Sequence, residues 1–89
     1  MQIDYEEKSH ILKAMSNPVR LQILMGLSED ECNVSRIQRN LGIPQSTVSQ
    51  HLRILRDNGI IQGRREGTKI CYRVIDRDVR DILDLFKKG

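Results

Sequence analysis

The sequence predicts a mainly α fold in which four helices lead into a β-hairpin and a fifth helix closes the chain. Three observations carry this. Apolar residues recur at helical spacing on both sides of the chain's middle. A short helix, a three-residue turn and a longer helix succeed one another before Gly59. From Ile60 to Val74 the period shortens to two, and then a helical stripe returns. The order α1-α2-α3-α4-β-hairpin-α5 is that of a winged helix-turn-helix with an extra helix at each end.

Each element has its own signal. An amphipathic stretch from about Asp4 to Ala14 brings Ile11, Leu12 and Met15 toward its apolar end. Asn17-Pro18 then reads as an N-cap followed by proline at the first helical position, where a missing N–H costs nothing. That second helix carries Ile23, Leu24 and Leu27 and fades at Ser28-Glu29-Asp30. Ser35 and Gln38 have capping-box spacing and predict a short third helix with Ile37 and Leu41 inward. Gly42 sits where a left-handed C-terminal residue is wanted, and Pro44 opens a fourth helix that runs to about Asn58. Strands follow at Ile60 to Arg65 and Lys69 to Val74, joined by a turn at Glu66-Gly67-Thr68. In the second strand Ile70, Tyr72 and Val74 share one face, and Lys69, Cys71 and Arg73 the other. A last helix from about Asp76 to Lys87 is striped by Val79, Ile82, Leu83 and Phe86.

Composition bounds the function. The 89 residues suffice for one domain, residues 1–89, and a core of that size gains from a partner subunit, so an oligomer is expected. No run of about 18 apolar residues is present, so no membrane span is expected, and the acidic start of the chain does not read as a signal peptide. Two cysteines are too few for a disulfide framework and suit a reducing cytoplasm. The net charge of +3 is unevenly placed: Asn33 to Val74 holds eight basic residues against Asp57 and Glu66, and the remainder is net acidic. Such a basic half suits a polyanion, although a charged solvated surface has the same composition.

The fourth helix, about residues 45–58, holds the chemistry expected of a DNA reader. On a helical wheel Val48, Leu52 and Leu55 face the core, while Ser46, Ser49, Gln50 and Arg53 face outward with no acid among them. Small side chains let a backbone approach the major-groove floor. Gln50 suits adenine N6/N7, and Arg53 suits guanine or a phosphate. Gln45 and Ser46 lie near a helix N-terminus whose N–H groups favour phosphate. Thr47 and His51 sit on the borders of the two faces, His51 either at the DNA backbone or packed beside Leu55. Arg64, Arg65 and Lys69 flank the hairpin turn, about residues 60–74, either as a wing on the phosphates or minor groove or as charges that protect a strand edge.

The chain resembles the ArsR/SmtB family of winged-helix repressors in Asn17-Pro18-Val19-Arg20-Leu21-Gln22-Ile23-Leu24, in Leu41-Gly42-Ile43-Pro44-Gln45-Ser46-Thr47-Val48-Ser49-Gln50-His51-Leu52, and in Leu55-Arg56-Asp57-Asn58-Gly59-Ile60-Ile61. Arg65-Glu66-Gly67 and Tyr72-Arg73-Val74 extend the resemblance over nearly the whole chain. It implies a homodimer held by the first and last helices, here through Ile11, Leu12, Met15, Val79, Ile82, Leu83 and Phe86. It also implies repression by binding double-stranded DNA at a pseudo-palindromic operator, with recognition helices about 34 Å apart. Gln45, Ser46, Ser49, Gln50 and His51 fall on the family's DNA-contact positions.

Where family members place metal ligands, this sequence departs from the pattern. Only Cys32 stands near the third helix, and the last helix has neither His nor Cys. No tetrahedral ligand set is visible, so no metal or cofactor is expected and the inducer is open. Cys71 shares a strand face with Lys69 and Arg73, and nearby cations favour the thiolate. The residues before a winged helix's third helix often run beside the wing's second strand, which would set Cys32 next to Cys71 as a redox pair. Two inert small apolar residues are the other reading. No phosphate loop, acid/base pair or nucleophile is identifiable, so an enzyme is not expected. A protein-interaction module is the main rival to DNA binding, and RNA binding lacks the usual stacking aromatics.

Overall fold

Helix capping sets the frame. The computed structural model describes residues 2–88: helices α1 (Tyr5–Met15), α2 (Pro18–Glu29), α3 (Val34–Leu41) and α4 (Gln45–Asp57), strands β1 (Ile61–Glu66) and β2 (Lys69–Val74), and α5 (Arg77–Lys87). The expected element order is present throughout. Asn17 Oδ1 accepts from the N–H groups of Val19 and Arg20, with Pro18 opening α2 as read from the sequence. Asp4 and Asp76 cap α1 and α5 in the same way.

Two helix starts differ from the expectation. The third helix begins at Val34 rather than at a Ser35–Gln38 box, because Asn33 takes the capping role and accepts from the Arg36 N–H at 3.3 Å. Gln38 instead donates to the Ile43 carbonyl at 3.2 Å and stitches α3 to the turn. Pro44 is the residue before α4, extended at ψ 147, and its carbonyl accepts from the Thr47 and Val48 N–H groups. Gly42, at φ +66, makes the reversal between the two helices, a conformation costly to any residue with a Cβ.

The core lies where α2, α4 and the hairpin base converge. Ile23, Leu24 and Leu27 meet Val48, Leu52 and Leu55 of α4, with Ile60, Ile61 and Val74 below them. Ile11, Ala14 and Met15 of α1 and Val79 and Leu83 of α5 complete the cluster. The third helix buries no residue fully. It packs through Ile37 and Leu41, and Gly26 lets it come close: a Cβ there would lie 2.8 Å from Ile37 Cδ1.

The hairpin runs in register from Ile61 opposite Val74 to Glu66 opposite Lys69, closed by Gly67-Thr68 with Gly67 at φ +64. Its faces are not divided as simple alternation predicts. Ile70 is half-exposed, and Cys71, on the face expected to meet solvent, is fully buried. The segment before α3 accounts for this. The Tyr72 N–H donates to the Glu31 carbonyl at 2.8 Å along the outer edge of β2, and Cys32 and Cys71 form a disulfide with a Cα–Cα separation of 4.2 Å. Arg64, whose Cα register partner is Cys71, donates to Glu31 at 2.6 Å and to Glu66 at 2.9 Å.

Two stability effects follow. Leu55→Ala, at a side chain with no exposed surface, should lose about 2–5 kcal/mol in urea unfolding of the oxidised protein with the m-value unchanged. The disulfide spans 39 positions, and loop-closure entropy for such a loop amounts to about 4 kcal/mol. Reductant should therefore lower the unfolding midpoint of the native chain by a large margin and leave Cys32→Ser unmoved. Equal midpoints with and without reductant in the native chain would show that the bridge does not stabilise the fold.

Candidate nucleic-acid interface

Helix α4 turns Val48, Leu52 and Leu55 into the core, and this fixes what it turns out. Gln45, Ser46, Ser49, Gln50 and Arg53 are exposed, while Thr47 and His51 are partly buried at the borders. The nearest acid on the helix, Asp57, stands one turn beyond Arg53, with Arg53 Nε and Arg56 Nε each 3.8 Å from its carboxylate. Those pairs are solvent-exposed and weak, so they leave the guanidinium of Arg53 available to a phosphate or a base edge. The first N–H groups of any helix lack intrahelical partners, and here Gln45 and Ser46 supply them.

Between α3, α4 and the hairpin lies an open hollow of about 370 Å³. Gln45 and Ser49 of α4, Ser35 and Gln38 of α3, and Lys69 of the hairpin border it above Val48 and Leu52. Cys32 borders it too, so the disulfide adjoins the surface that joins α4 to the hairpin. Arg65 and Lys69 are exposed on the hairpin. Arg64 points elsewhere: its contacts with Glu31 and Glu66 hold it on the other side of the hairpin, beside Arg73 and Arg80 in a second hollow of about 530 Å³. The hydrogen bonds that Arg64 donates to Glu31 and then Glu66 raise its pKa further.

The residues assigned to dimer contact divide in two. Ile11, Met15, Val79 and Leu83 are buried in the protomer's own core, and Ile82 is partly buried against it. Leu12 and Phe86 are more than half exposed, and so are Ile3, Tyr5 and Leu85, which helical periodicity alone did not single out. Lys8 Nζ, 3.0 Å from Asp78, ties α1 to the start of α5.

Sequence reasoning missed Arg20. From α2 it donates to the Ala14 carbonyl at 2.5 Å and places Nη1 3.2 Å from His51 Nδ1 on α4. Burial, and secondarily the Arg20 charge, hold the His51 pKa below its ordinary value. A half-buried arginine among the apolar residues of α2 was the available signal. Among the described residues no group of three or more His, Cys, Asp or Glu is placed to hold a metal, and no helix is long and apolar enough to cross a membrane.

Residues 17–62 match the model of the arsR family of bacterial regulatory proteins. An uncharacterised helix-turn-helix transcriptional regulator of Methanocaldococcus jannaschii is 42% identical over 82 residues, covering 91% of this chain and 92% of that one. The transcriptional repressor BigR from Xylella fastidiosa superimposes with a TM-score of 0.80 at 34% identity, over 93% of this chain and 85% of that one. A homodimeric winged helix-turn-helix DNA-binding domain from Mycobacterium bovis, a possible ArsR-family regulator, does so with a TM-score of 0.81 at 33% identity, over 97% and 84%. With its winged helix, its outward-facing α4 and these likenesses, the chain belongs to the arsR family of DNA-binding transcriptional regulators.

Proposed function

We propose that the chain is an operator-binding homodimeric repressor whose affinity is set by the Cys32–Cys71 thiol–disulfide couple. The observation that carries this is the acid-free outer face of α4 bordering the same hollow as Cys32 and Lys69. In this reading α4 enters the major groove. Gln50 pairs with a base edge, Arg53 with guanine or a phosphate, and Gln45, Ser46, Thr47 and Ser49 approach the helix backbone and groove floor. Arg65 and Lys69 carry the wing's charge to the DNA backbone, while Arg64 serves the wing's attachment through Glu31. Two protomers meet through the exposed apolar residues of α1 and α5, Leu12 and Phe86 foremost, which a monomer leaves in water.

The switch follows from where the bridge sits. Cytoplasmic thiols are held reduced, so the dithiol is the resting, repressing form. A disulfide oxidant takes two electrons from the two thiols and leaves as two thiols, and Cys32 and Cys71 become joined. That bond fixes β2 to the segment entering α3, and the wing loses the freedom to follow the DNA. The derepressed state is the bridged one.

Binding to a duplex from the promoter region upstream of the chain's own coding sequence tests this. Reduced protein should bind about tenfold or more tightly than protein treated with a disulfide donor, a difference of about 1.4 kcal/mol or more, and Cys32→Ser and Cys71→Ser should each abolish it. Equal affinities in the two redox states would remove the switch. Gln50→Ala should cost about 1–3 kcal/mol and relax base preference, and Arg65→Ala should lower the salt slope by about one phosphate. Affinity flat in salt would favour a protein-interaction module. Leu12→Glu with Phe86→Glu should sediment as a folded monomer at concentrations where the native chain is a dimer.

A further inference from the structure

Arg20 holds two helices at once. Its Nε–H donates to the Ala14 carbonyl in the last turn of α1, where helical carbonyls lack intrahelical partners, and its Nη1 lies 3.2 Å from His51 Nδ1. A guanidinium stays protonated and offers donors only. The Nδ1 that meets it is therefore the lone-pair nitrogen, and in the neutral ring the proton sits on Nε2, at the opposite edge. His51 is partly exposed at the border of the outward face of α4, and the nitrogen that Arg20 leaves free is the one that carries the proton.

We propose that Arg20 is a positioning residue for DNA recognition: it fixes His51 as a neutral ring offering a single Nε2–H donor to the DNA, and anchors that ring on the end of α1. This rests on α4 being the reading helix. The charged groups around the ring agree with it. Arg20 faces it from α2, and His10 and Lys13 of α1 line the adjoining hollow with Arg20, Ile54 and Asn58. On α4 itself Arg53 and Arg56 share Asp57. A ring so surrounded resists a second proton, and its pKa is held down by burial first and by Arg20 second. An ordinary exposed histidine at a phosphate gains charge on acidification and grips a polyanion more tightly. His51 takes up that charge only at a lower pH than an ordinary imidazole, and its contact in the neutral ring is a directional hydrogen bond.

Nitrogen-15 NMR of the DNA-free native chain reads the first half directly. The Nε2–H tautomer should dominate and the ring should titrate below the ordinary imidazole value. An Nδ1–H tautomer, or a ring that titrates at or above that ordinary value, overturns the proposal, and no variant has to fold for this result. The second half is read on the promoter-region duplex at fixed salt, from about pH 7.5 to about pH 5.5. The native chain should gain no more affinity on acidification than His51→Gln, which has no titrating ring. Arg20→Gln should gain about three- to tenfold more, and Arg20→Gln with His51→Gln should lose that extra gain. A native chain whose acid-linked gain exceeds that of His51→Gln overturns the proposal. A native chain that binds no duplex at any pH removes the DNA-reading function and the proposal with it, and the tautomer measurement tells that failure from a misassigned ring.

Discussion

Attachment of the hairpin to the helical body is the constraint on which the rest of the structure depends. A two-stranded ribbon in water is marginal by itself, and this one carries Ile61 and Val74 into the core at its base, with Cys71 buried beyond them beside the segment that precedes α3. Everything beyond must be held from the side. Three residues, Glu31 to Asn33, do this along the outer edge of β2. One backbone hydrogen bond reaches Tyr72, one disulfide reaches Cys71, and one ion pair reaches Arg64 across the face of the ribbon. The same segment ends in Asn33, the cap of α3. Wing and helix-turn-helix therefore share a single short connection, and any chemistry at Cys32 acts on both.

The three ties differ in kind. The hydrogen bond has a net worth of about 1 kcal/mol, and the Arg64–Glu31 pair, with roughly two-fifths of each side chain in solvent, is weaker than its geometry suggests. The covalent bridge outweighs both and is the only one that a redox reaction can make or remove. In the proposed switch this ordering makes the cysteines, and not the surrounding charges, the point of control. It also accounts for Cys71: a thiol on an exposed ribbon face would be chemically open, whereas here the neighbouring segment buries it completely.

Much of the fold was legible because local and long-range signals agree. Asn17-Pro18, Gly42, Gly59 and the stripe Val48-Leu52-Leu55 each mean the same thing to a segment alone and to the folded chain. The outward face of α4 could be read for the same reason, since it is the complement of a buried stripe. What escaped depends on contacts between segments distant in sequence. Alternation in β2 puts Cys71 and Arg73 on one face, and the irregular segment beside β2 buries the first and leaves the second exposed. Arg64 looked like a wing cation because its partner lies 33 residues away. The apolar residues of α1 and α5 looked like one interface, yet periodicity cannot divide a helix between its own core, which takes Ile11, Met15, Val79 and Leu83, and a second surface, which keeps Leu12 and Phe86.

Arg20 illustrates the same limit with a functional consequence. The end of α1 presents carbonyls that need donors, and the middle of α4 presents an imidazole that must choose between two nitrogens. One forked side chain answers both, because a guanidinium holds its donors on separate nitrogens of a rigid plane, whereas a lysine offers its three from one rotatable ammonium. Helix α1, which keeps Leu12 exposed, is thereby linked through one side chain to the imidazole on α4. A displacement of α1 relative to α2 would have to stretch the Ala14 or the His51 contact, and either change would release the ring's tautomer. If α4 is the reading helix, as proposed, this contact is a short route from the end of α1 to the ring that α4 carries.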